Sequence, residues 1–128
     1  MIWYIALGSA LGGVIRYLLG GWIQGRAGPG FPVGTLVINV TGSFLLGFLY
    51  RYAAESAAIT PELRAMLTIG ICGGYTTFST FSYETVRLLE DGELGRASLY
   101  VALSVAVSVG AAMLGVVAGR ELLSLRRG

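Results

Sequence analysis

A chain of 128 residues that is 55% hydrophobic and only 12% charged, with a mean hydropathy of +0.73, is too apolar for a small soluble domain and has room for at most four membrane crossings of ~20 residues. With no His and the single Cys72, it lacks the side chains for a Cys/His zinc site, histidine acid–base catalysis or an internal disulfide. Its net charge of +2 is too slight and too scattered for a nucleic-acid footprint.

The hydropathy pattern predicts an all-α membrane protein, one four-span domain over residues 1–128. The first span runs from Ile2 to about Trp22 with one charge, Arg16. It is too long for a secretory h-region and has no basic n-region, so it reads as mature sequence. Arg16 is either an interfacial anchor that snorkels or a positive charge near a pore mouth. Gly8 and Gly12, like Ser9 and Gly13, are four apart and suit close helix packing. The Gly/Pro-rich linker Gln24 to Pro32 reads as a turn outside the membrane.

The second span, Val33 to about Ala54, carries Asn39, with Ser43 on the same face. Such an amide either bonds to a neighbouring helix or faces a pathway. The third span, Leu63 to about Leu89, has three Gly and five Ser/Thr between Gly70 and Ser82, a poor helix interior. Either the helix breaks near Gly73 to Thr77, facing the protein interior, or it continues with its hydroxyls bonded to its own carbonyls. Phe78 and Phe81 share a helical face amid Ser79, Thr80 and Ser82, a spacing that packing alone would also produce. Glu84 and Arg87 stand three apart and suit an ion pair. The fourth span, about Ala97 to Ala118, bears Ser104 and Ser108 on one stripe and Ala111, Gly115 and Gly119 on another, before a basic tail, Arg120 to Arg127.

With four spans, five Arg (51, 64, 120, 126, 127) fall on one side and three (26, 87, 96) on the other. That weak bias permits insertion both ways round. Four short helices hardly enclose a polar pathway, which makes an oligomer the default.

Three stretches resemble the small bacterial fluoride channels, the Fluc or CrcB proteins: Gly12 to Tyr17 (GGVIRY), Gly34 to Gly42 (GTLVINVTG) and Gly70 to Glu84 (GICGGYTTFSTFSYE). The resemblance covers essentially the whole chain, and the last stretch is the most specific. It implies an antiparallel, dual-topology homodimer in the bacterial inner membrane, with two fluoride pores along the subunit interface and passive export of cytoplasmic fluoride. It implies pore-lining roles for Asn39, Phe78, Phe81, Ser79, Thr80, Ser104 and Ser108. It further implies a structural sodium ion held by the backbone carbonyls of Gly73 and Thr76. Arg16 and Glu84 match family positions without an assigned role. Two other classes compete on the residues alone. A proton-coupled multidrug transporter of this size needs an acid in the first span, where Arg16 stands instead. A non-transporting scaffold subunit predicts no conductance at all. No nucleophile–base pair suggests an enzyme.

Overall fold

The computed structural model describes residues 1–127, the Arg127 side chain at the end of the basic tail lying outside them, and every regular element among them is helical. Helix α1 covers Ile2–Ala27, a turn beyond the predicted span, because nothing in Gln24 to Ala27 interrupts helical hydrogen bonding. It stops at Gly28, whose φ of 86° and ψ of 173° suit glycine alone. One side chain then wires the turn. Gln24 Nε2 donates to Gly28 O (2.6 Å) and Phe31 O (3.0 Å), while Gln24 Oε1 accepts from Gly34 N (2.9 Å).

Helix α2 spans Val33–Glu55. Thr60 caps α3 (Pro61–Ala65) by accepting from Leu63 N, with Pro61 at the first turn, where a missing N–H costs nothing. A π-helical stretch, Met66–Cys72, leads into the single turn of α4 (Gly73–Tyr75). Thr76 and Thr77 are extended, and α5 runs from Phe78 to Glu90. Helix α6, Leu94–Arg127, continues past the apolar run through the basic tail. Among the described residues three helices, α1, α2 and α6, are long and apolar enough to cross a membrane.

Small residues set the packing. Helix α2 lies along α6, where a Cβ on Gly47 would strike the Ala112 carbonyl and one on Gly115 the Phe44 carbonyl. Helix α1 packs on the 66–75 stretch, with Gly8 against Met66 and Gly70, and Gly12 against Ile71. A Cβ on Gly13 would touch nothing, so the Ser9/Gly13 pair is only half used within the chain. Tyr100, Ile38 and Cys72 are the largest fully buried side chains. Arg51 pairs with Glu55 (3.0 Å), and the Arg126 guanidinium reaches both the Tyr52 hydroxyl and the face of its ring.

Candidate functional site

The site grows from the helix end at Tyr75. Cys72 O accepts both the amide and the hydroxyl of Thr76, each at 3.0 Å. Beyond that point the helical ladder is dismantled, and its groups pass to side chains. In a continuing α-helix Thr77 N would donate to Gly73 O; it donates instead to Asn39 Oδ1 (2.8 Å), and Asn39 Nδ2 donates back to Thr77 O (3.1 Å). Thr80 N, the helical donor for Thr76 O, goes to Thr77 Oγ1 (3.2 Å), the N-cap of α5. Gly74 O accepts from Arg16 Nε (3.1 Å).

Arg16 thus meets the end of a broken helix, where a positive charge is favoured. Gly73 O and Thr76 O are both deprived of their α-helical donors. Unwound carbonyls of this kind suit a hard monovalent cation. Among the described residues no cluster of His, Cys, Asp or Glu suits a metal ion. Gly73 faces outward, and a Cβ placed there would meet nothing in its own chain.

Beside the break lies a cavity of about 260 Å³ without a charged wall. It brings together Asn39, Ser43, Phe78, Phe81, Ser104 and Ser108 from α2, α5 and α6. Hydroxyls in membrane helices usually bond back to their own helix, as Thr41, Thr68, Ser82 and Thr85 do here at 2.8 to 3.0 Å. Ser104 Oγ and Ser108 Oγ do not: both are buried with no hydrogen-bond partner among the described residues. The Phe78 and Phe81 rings lie 5.6 Å apart at 49°, and Phe81 continues to Tyr100 at 5.2 Å. Phe78 is nevertheless 79% exposed, so its cavity lacks an outer wall.

The remaining residues fall elsewhere. Thr80 lines a neighbouring cavity of about 270 Å³ with Arg16, Thr35, Thr77 and Glu84. Ser79 lines neither, and its exposed hydroxyl stands 3.5 Å from that of Thr77. Glu84 is not paired with Arg87 as their spacing suggests. It accepts from the Thr35 hydroxyl (2.6 Å), a partner on α2 that lies closer than the next turn of its own helix. The buried Tyr100 hydroxyl lies against Thr35 and Glu84 without an aligned bond to either. Thr35 and Tyr100 extend two stripes already visible in the sequence, Thr35–Asn39–Ser43 and Tyr100–Ser104–Ser108, by one turn each.

These features define a multi-pass helical membrane protein with an uncharged polar cavity at an interrupted helix. Residues 3–116 match the family described as CrcB-like protein, Camphor Resistance (CrcB). The fluoride-specific ion channel FluC of Geobacter metallireducens is 52% identical over 118 residues, covering 92% of this chain and 95% of that protein. The proteins of the same name from Rhizobium meliloti and Thermus thermophilus are 48% and 47% identical over 119 residues, covering 93% of this chain and 92% and 93% of their own lengths. The chain belongs to the CrcB family, and is a bacterial multi-pass membrane protein.

Proposed function

We propose that the protein is a fluoride-selective passive channel that lets cytoplasmic fluoride leave the cell. The observation that carries this reading is the uncharged cavity whose lining brings together two unpartnered serines and two phenyl rings. Fluoride is small and strongly hydrated, so a path must replace its water with donors that do not trap it. The hydroxyls of Ser104 and Ser108 and the second Nδ2 hydrogen of Asn39 are neutral donors of this kind. The rings of Phe78 and Phe81 offer positive edges to an anion. Thr80 and Ser79 continue the hydroxyl-rich surface along the first turn of α5. The names of the relatives above point the same way.

In this reading the 61–90 segment crosses the membrane as a fourth, interrupted span. The channel is an antiparallel, dual-topology homodimer. The exposure of Phe78 and the open space at Gly73 favour a second copy as the missing wall. The carbonyls of Gly73 and Thr76 from two subunits would hold a structural sodium ion, which would satisfy oxygens otherwise costly in hydrocarbon. Because the ligands are backbone atoms, Thr76→Ser retains the site. Ion binding to the dimer alone stabilises it by mass action.

The deciding experiment is fluoride efflux from liposomes containing the purified protein, with chloride and sodium fluxes measured alongside. Fluoride efflux without the other two is the expected result. Comparable chloride flux overturns the selectivity, and stoichiometric sodium flux overturns the structural role of the cation.

A further inference from the structure

Helix α5 carries a polar feature that the Phe78 cavity does not use. Thr77, Thr80, Glu84, Arg87 and Asp91 recur at steps of three and four residues, so they share one face for ~21 Å from the break to the far end of the helix. Thr77 is a wall of both the Phe78 cavity and the Arg16 cavity. Glu84 and Gln24 are in turn walls of both the Arg16 cavity and a third one, of about 370 Å³, which adds Arg87, Asp91 and the Pro29–Pro32 turn. Three cavities therefore adjoin in file from the break to the α1–α2 turn. The charged walls of the outermost are two carboxylates and one guanidinium. Among the described residues, Arg87 forms an ion pair with neither Glu84 nor Asp91.

We infer that this outermost cavity is a mouth of the anion path and that Arg87 sets its charge; the inference rests on the fluoride conduction proposed above. An anion passing Glu84 and Asp91 alone meets two like charges, and the unpaired guanidinium offsets one of them. Such an effect acts through space and is screened by salt, with a Debye length of ~30 Å at 0.01 M and ~3 Å at 1 M ionic strength.

The test is fluoride efflux from liposomes at fluoride concentrations where the rate is still proportional to concentration, in ~0.01 M and ~1 M inert salt. Arg87→Gln is expected to slow efflux roughly 3- to 10-fold in low salt and less than about 2-fold in high salt. Arg87→Lys and the double variant Arg87→Gln/Asp91→Asn are both expected to restore most of the loss. Efflux unchanged by Arg87→Gln at either salt concentration overturns the inference. So does a loss that is equal in both salts and unrescued by the double variant, which marks a structural role. Absence of fluoride efflux from the unsubstituted protein instead overturns the conduction reading beneath it.

Discussion

The α2–α6 pair and the stretch from Met66 to Phe78 both bring one backbone close to another through small residues, but only the second also gives up its helical hydrogen bonds. Between α2 and α6 the helices stay regular, and Gly47 and Gly115 merely remove side-chain volume. Between Met66 and Phe78 the ladder is first loosened into a π-helix and then broken, and its groups are passed to Asn39, Arg16 and Thr77. The first region therefore depends on small volume at the helix contact. The second needs small residues as well, since Gly8, Gly12, Gly70 and Gly74 meet backbone there, and depends besides on particular donors and acceptors. In hydrocarbon each backbone group left without a partner costs several kcal/mol, so a broken helix survives only with such replacements.

The largest effect should come from removing one of those replacements. Asn39→Asp turns the donor facing Thr77 O into an acceptor, so one of the paired bonds becomes a repulsion, with a stability loss of about 1–3 kcal/mol. It also sets a negative charge beside the proposed anion path. Fluoride efflux should vanish and the melting temperature should fall together. Full efflux at neutral pH, measured in liposomes, would detach both the break and the path from Asn39.

Next in size is a volume test of the contrast itself. Gly115→Ala drives a methyl into the Phe44 carbonyl and to 2.8 Å of the Phe48 nitrogen, so overpacking of about 1–3 kcal/mol is expected. Gly73→Ala meets nothing in its own chain. If the proposed second copy closes on it, the consequence is weaker subunit association in size-exclusion chromatography with little change in helicity. Equal losses of helical signal in the two variants would erase the distinction between the regions.

Much of this was legible in the sequence. The spans α1, α2 and α6 follow from apolar run length, and the Gly–Gly–Tyr–Thr–Thr run marks the place where helical residues give way. The polar stripes were visible too, although Thr35 and Tyr100, one turn away, needed the fold to join them. What stayed hidden were pairings between distant side chains and backbone. Nothing in a local pattern says that Asn39 will take the amide of Thr77, or that Gln24 will hold three backbone groups of the following turn. The Glu84–Arg87 spacing misled for the same reason: a hydroxyl from α2 is nearer than the expected helical partner. The π-helix at Met66–Cys72 has no composition of its own and arises where Gly8 and Gly12 of α1 press against it.

A third prediction concerns chemistry within the cavity. Phe78→Ile and Phe81→Ile keep much of the bulk and lose the positive ring edge. Each should cut fluoride efflux strongly. Phe78 is exposed in the single subunit, so its variant should leave the fold untouched, whereas Phe81 also packs on Tyr100 and its variant should melt somewhat lower. Unchanged efflux in both would reduce the pair to packing.

The smallest effect separates a free hydroxyl from a bonded one. Ser108 Oγ has no partner, so Ser108→Ala breaks no bond and relieves a buried polar group; stability should hold or rise by up to about 1 kcal/mol. Water can take the place of one donor among several, so efflux should fall only about 2- to 5-fold. Thr68 gives the opposite case, for its buried hydroxyl donates to Arg64 O at 2.8 Å and lines none of the three cavities. Thr68→Ala should therefore lower the melting temperature and leave efflux per folded channel unchanged. Paired thermal-unfolding and efflux measurements on the two variants decide the matter, because a hydroxyl that serves an ion and one that serves the helix move opposite readouts. If Ser108→Ala destabilises the protein while efflux is unaltered, its hydroxyl serves the fold and the path must run elsewhere.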